Sequence, residues 1–237
     1  MNAVDVLLDG VLQAFRLLLT GDDDTWSITA LTLRVSLTAT AVALLLGVPL
    51  GTALALGRFP GRRVLLAAAN TGMGLPPVVV GLFVTVLLWR SGPLGAFGLL
   101  YTPIAMVVAQ ALIATPIVSA LTAAALQQVD PDFLLQMRAL GATRTRALRA
   151  LLAEARLPLL AAGLAGFGAV VSEVGAAQMV GGNIQGGTRV LTTAAVLATS
   201  RGQFALAIAF GLVLLAIAFA VNLFVTLAQQ RDARPSS

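Results

Sequence analysis

The chain has 237 residues, of which 58% are hydrophobic and only 11% charged, with a formal net charge of +5 at pH 7. A soluble domain carries roughly 25% charged residues, so this composition marks a membrane protein, and its basic residues, spaced between apolar runs, do not build the basic face that a nucleic-acid partner requires. Cysteine and histidine are absent, which removes disulfides and thiolate metal sites and the usual residues of transition-metal and general acid–base chemistry.

The opening acids replace the basic region of a secretory signal, so no cleaved signal peptide is expected. Within residues 3–19, Asp5, Asp9, Gln13 and Arg16 recur at helical spacing among Val, Leu, Ala and Phe. That pattern predicts an amphipathic helix lying in the membrane interface. A polar break, TGDDDTW, follows, with Asp24 or Thr25 placed to cap the next helix and Trp26 at headgroup depth.

A spanning helix needs ~20 mostly apolar residues. Five segments meet this: 28–57, 64–89, 102–129, 157–182 and 202–230. The expected fold class is therefore an all-α membrane protein with about five transmembrane helices, forming one transmembrane domain over residues 1–237 with its core at about 28–230. Gly47 and Gly51, four apart in the first span, predict close helix packing.

All fifteen basic residues are arginines. With five spans the connecting loops alternate sides. One side receives Arg58, Arg62, Arg63, Arg138, Arg144, Arg146, Arg149, Arg156, Arg231 and Arg234; the other receives Arg16, Arg90, Arg189 and Arg201. The positive-inside rule puts the richer side in the cytoplasm, with the N-terminus outside and the C-terminus inside.

The loop at 130–156 is longer than a turn requires and reads as helix. Asp130, Pro131 and Asp132 supply an N-cap, a first-turn proline and a first-turn acid. Gly141 is placed to end or bend the helix begun by FLLQMRAL, and TRTRALRALLAEARLP starts a second. The loop is either a solvated basic turn that sets topology or a docking surface for a cytoplasmic partner.

Three further features fall in or beside the spans. Pro76 and Pro77 remove two backbone donors near the middle of their segment, which serves either as a packing kink or as a break lining a transport pathway, with Val78, Val79 and Val80 as a hydrophobic constriction. Arg34 and Glu173 are the charges within spans; their matching depths predict an ion pair, structural or gating. The glycine-rich outer loop GGNIQGGTR, with Asn183 and Arg189, is either a flexible connection or a contact for a binding protein or an incoming anion.

Several stretches resemble a known family. An Ala139-Leu140-Gly141-Ala142 turn in a basic loop, followed by a helix and a Leu-Pro, is similar to the EAA loop of ABC importer permeases. It departs from that pattern: the family's Glu-Ala-Ala positions fall on Leu135, Gln136 and Met137, and Pro158 lies about one helical turn beyond the expected proline. GMGLPPVVVGL, FGAVVSEVGAAQMVGGNI and TRVLTTAAVLATSRGQFALAIA resemble permeases of molybdate and tungstate importers, most of all the tungstate branch. The resemblance implies a type I ABC importer permease fold in the bacterial cell membrane. It also implies a homodimer, with ATPase subunits docking at Ala139, Leu140, Gly141, Ala142, Arg144 and Arg146, and an extracytoplasmic oxyanion-binding protein. No cofactor is expected on this chain: it has no lysine and hence no phosphate-binding loop of the Gly-x-x-x-x-Gly-Lys kind, so ATP and Mg²⁺ would sit on the partner. Competing readings are a permease for sulfate or phosphate, an ion-coupled carrier, for which one membrane acid is few, and a membrane enzyme, for which a cluster of reactive groups is missing.

Overall fold

The computed structural model describes residues 3–20 and 22–232, and these fold as helices and connecting turns. In chain order the helices are α1 (Ala3–Thr20), α2 (Asp23–Leu56), α3 (Arg62–Gly72), α4 (Pro77–Leu88), α5 (Pro103–Gln127), α6 (Phe133–Ala139), α7 (Arg144–Glu154), α8 (Arg156–Val171), α9 (Gly175–Gly181), α10 (Leu191–Ser200) and α11 (Phe204–Asp232). Helices α2, α5 and α11 are long and apolar enough to cross a membrane unbroken. Two bent pairs raise the number of spans to as many as five: α3 with α4, and α7 with α8, the latter meeting at 68°.

The spans expected at 64–89 and 157–182 are thus not single helices. Pro76, with φ −61° and ψ 121°, leaves the helical region, and Pro77 starts α4 where its missing N–H costs nothing. The other span stops at Val171 and resumes as α9 at Gly175, without a proline. Helix α10, a short apolar helix of ten residues, is not among the expected segments because it is too short to span.

The ends of α2 show how this chain closes its helices. At the N-terminus the cap is Asp22, in place of the expected Asp24 or Thr25: its Oδ2 accepts from Thr25 N at 2.9 Å and Thr25 Oγ1 at 2.6 Å. Those two donors hold the Asp22 carboxyl below its ordinary pKa. A depressed folded-state pKa contributes stability above the unfolded value and loses it as pH falls through the folded one. At the C-terminus Arg62 donates from Nε to Leu54 O at 2.6 Å and from Nη2 to Ala55 O at 3.1 Å, placing a cation on the negative end of the helix. An arginine expected to orient the hairpin thereby also seals α2.

Contacts divide the chain into two units. One comprises residues 40–75 and 111–167. Here the C-terminal part of α5 is enclosed by small residues of its neighbours. A Cβ on Gly47 of α2 would meet Val118 Cβ at 2.7 Å; one on Gly51 would run into the Ser119 carbonyl and come within 2.6 Å of Thr122 Cβ; one on Gly72 of α3 would meet Pro116 Cβ at 2.6 Å. Gly166 of α8 lies against Val118 and Ala114. Helix backbones approach this closely only where side chains are absent. A smaller cluster of Leu126, Leu151 and Ala155 joins the end of α5 to α7, with Phe133 and Leu134 packed on it.

The other unit comprises residues 1–39, 76–110 and 168–237. Helix α1 lies along α11, where a Cβ on Gly10 would meet Ile208 Cγ2 at 2.6 Å. Its Leu7, Leu8, Leu12 and Phe15 remain exposed. Ile28, Leu191, Ala194, Phe210 and Val213 make a core of α2, α10 and α11, and α4 packs on α9. Residue Arg234 of the topology count lies outside the described residues.

Gly51→Val should destabilise the folded protein by about 1–3 kcal/mol, the usual cost of overpacking, lowering its melting midpoint in detergent without preventing membrane insertion. An unchanged midpoint would show that α2 and α5 do not meet at this glycine. The difference in stability between the native chain and Asp22→Ala should be present at neutral pH and disappear as pH drops below the carboxylate range.

Candidate functional site

Helix α9 begins after a break in an apolar run, so its first amides need partners that lipid does not offer. Glu173, 6% exposed, supplies them: Oε1 accepts from Ala176 N and Oε2 from Ala177 N, each at 2.9 Å. Its own carbonyl accepts from Thr192 Oγ1 at 3.0 Å, tying the break to α10. A carboxylate at a helix N-terminus is also favoured by the positive end of the helix dipole.

This overturns the expected pair. Arg34 is exposed on α2, and among the described residues it forms no ion pair with Glu173. The physical reason is local: two backbone donors a few residues away satisfy the carboxylate without ordering a long arginine side chain.

The structure brings two of the other predicted elements together. Val78, directly after the proline pair, packs on Gly175, two residues after Glu173: a Cβ on Gly175 would meet Val78 Cγ2 at 2.8 Å. One turn along, a Cβ on Gly81 would meet Ala176 Cα at 2.7 Å. Val78 and Val79 remain more than half exposed, whereas Val80 is buried. Pro76 O accepts from Val79 N at 2.9 Å. The helix breaks of α3–α4 and α8–α9 thus meet through α4 and α9.

Threonines that sequence reasoning passed over hold the remaining loops. Thr32 Oγ1 accepts from Leu191 N at 2.9 Å, capping α10 from α2, while donating to Ile28 O at 2.7 Å. Thr188, 1% exposed, donates to Gly181 O and accepts from Ile184 N at 3.1 Å, closing the glycine-rich loop. Single threonines in apolar runs carry no distinctive sequence signal. Within that loop Asn183 adopts φ 52°, and Arg189 donates to it from Nε to Oδ1 at 3.2 Å and from Nη2 to its carbonyl at 3.4 Å. Much of the guanidinium expected to face an anion is therefore used to fix the loop.

In the basic loop, α6 starts at Phe133, two residues later than its acids suggested, because Asp130 Oδ1 accepts from Asp132 N at 2.8 Å and forms a turn first. Gly141 has φ 80°, and Ala142 N donates to Met137 O at 2.9 Å, ending α6 in a left-handed turn. Thr143 then caps α7, accepting from Arg146 N. At this corner Ala139, Leu140, Gly141, Arg144 and Arg146 are exposed and Ala142 is half-buried; Leu140 is 79% exposed.

A chain of broken and unbroken apolar helices, with a helix–glycine–helix corner carrying arginines and an exposed leucine, defines a multi-span helical membrane protein. Residues 47–233 match the family described as the binding-protein-dependent transport system inner membrane component, and the chain belongs to it. It is 41% identical over 201 residues to a probable anion ABC transporter permease protein of Haloferax volcanii, covering 83% of this chain and 87% of that protein. It is 37% identical over 219 residues to the tungstate uptake system permease protein TupB of Peptoclostridium acidaminophilum, covering 92% and 96%. The fold is that of the type I ABC importer permeases: the methionine ABC transporter MetNI in its inward-facing conformation aligns with a TM-score of 0.69 at 20% identity, over 86% of this chain and 94% of that one.

Glu173→Ala should destabilise the protein more than Glu173→Gln, since it strands two buried amides at about 1–3 kcal/mol each. Combining Glu173→Gln with Arg34→Gln should give additive losses within about 0.5 kcal/mol in a double-mutant cycle. Recovery of stability in the double variant would restore the ion pair.

Proposed function

We propose that this chain is the permease subunit of an ABC importer for tungstate, with molybdate as the second substrate. The observation that carries the reading is the likeness to a tungstate uptake permease over nearly the whole of both chains, alongside a probable anion permease. The physics is compatible with it. Few charges lie in the apolar helices, so a divalent oxyanion meets no trap along its way, as conduction requires. Specificity then resides in an extracytoplasmic binding protein.

The working unit is a homodimer with two ATPase subunits, which bind and hydrolyse ATP. The corner at 139–146 is the docking surface: Leu140 is a large apolar side chain left in water beside Arg144 and Arg146, which suits a groove with an apolar floor and an acidic rim. The arginine count places this corner in the cytoplasm, the N-terminus outside and the C-terminus inside. Pro76, Pro77, Val78 and Val79 serve as the pathway element, and the Glu173 cap holds α9 against it.

Cells lacking other oxyanion importers should take up labelled tungstate when this gene and its partners are present and should lose that uptake without it. Uptake of sulfate or phosphate in place of tungstate and molybdate would overturn the substrate and leave the importer class intact. Gly141→Val puts a β-branched residue at φ 80°, costing about 1–2 kcal/mol. It should leave insertion intact and reduce transport-coupled ATP hydrolysis; unchanged coupling would remove the docking role from this corner.

A further inference from the structure

The first turn of α2, the end of α10 and the start of α11 surround a cavity of about 200 Å³. Its charged lining consists of Arg189 and Arg201 together with Asp22 and Asp24, and its apolar wall includes Ile28 and Phe210. Among the described residues neither arginine is ion-paired with either aspartate. Arg189 donates to Asn183, Asp22 accepts from Thr25, and Asp24 accepts from Gln185 Nε2 at 2.9 Å. The cavity therefore holds separated positive and negative poles over an apolar floor.

The spans α2 and α11 both begin here, which puts the cavity at a boundary between hydrocarbon and water. Trp26, half-exposed one turn into α2, belongs to the same depth, where indoles collect. A ligand matching these features has a phosphate for the arginines, an ammonium for the aspartates and an acyl glycerol for the apolar wall. Two cations balanced by two anions disfavour a purely anionic ligand, and the apolar wall disfavours a free ion.

We propose that this cavity binds the headgroup of a zwitterionic phospholipid with a primary ammonium, a phosphatidylethanolamine, in the leaflet facing the N-terminus of α2. The phosphate takes charge-assisted hydrogen bonds from Arg201 and from the remaining donors of Arg189. The ammonium donates to Asp24 and to Asp22. A quaternary headgroup lacks those N–H donors, and a glycerol headgroup lacks the positive charge.

Native mass spectrometry of the full chain in non-ionic detergent tests this with dioleoyl phosphatidylethanolamine, dioleoyl phosphatidylcholine, dioleoyl phosphatidylglycerol and inorganic phosphate. Phosphatidylethanolamine should be retained at the lowest concentration. Arg201→Gln and Asp24→Asn should each weaken it about tenfold, equivalent to about 1.4 kcal/mol, with the lipid-free melting midpoint unchanged. Equal retention of phosphatidylglycerol or phosphatidylcholine by the native chain would overturn the proposal, and that comparison needs no variant to fold. Displacement by inorganic phosphate alone, or phosphatidylethanolamine binding that neither substitution alters, would overturn it as well.

Discussion

Inside a bilayer a leucine gains little by leaving lipid for another leucine, so the helices of this chain are held by close backbone approach and by satisfied polar groups. The C-terminal part of α5 shows the first device. Its Val118, Ser119, Thr122 and Pro116 are met by Gly47 and Gly51 of α2, Gly72 of α3 and Gly166 of α8. The ring of Pro116, in mid-helix, rests on Gly72, and the flanking Thr115 and Ser119 hydroxyls donate to the Ala111 and Thr115 carbonyls at 2.7 Å. By contrast α11 turns Leu215, Phe219 and Phe224 outward, as a helix facing lipid does.

The second device appears wherever a helix stops short of the membrane's full width. Each such end exposes amides or carbonyls that hydrocarbon cannot solvate. Glu173 covers α9, Thr32 covers α10 and Thr188 closes the loop between them. The broken segments are therefore built pieces with their own partners. Because Val78 rests on Gly175, the piece that follows the prolines and the piece that follows Glu173 are packed as one.

The apolar runs reported the long elements well: α2, α5 and α11 lie within a few residues of segments 28–57, 102–129 and 202–230. Paired prolines announced the α3–α4 break, and Gly141 the corner after α6. What stayed hidden has a common cause. The α8–α9 break has no proline or charge run, only a carboxylate that serves as a cap. Depth matching alone pointed Glu173 toward Arg34, since a span treated as unbroken has no spare amides to offer. Helix α10 escaped because a length test for spans discards ten residues. The threonine caps escaped because threonine is common in apolar helices and only three-dimensional proximity gives it a partner.

The basic residues of this chain, those of the α6–α7 corner included, are arginine without exception. Guanidinium stays protonated at any pH a cell can reach. It is also beyond the reach of lysine acetyltransferases, whose product removes charge. The positive charge of this corner is therefore set by the sequence and answers neither to pH nor to lysine acetylation.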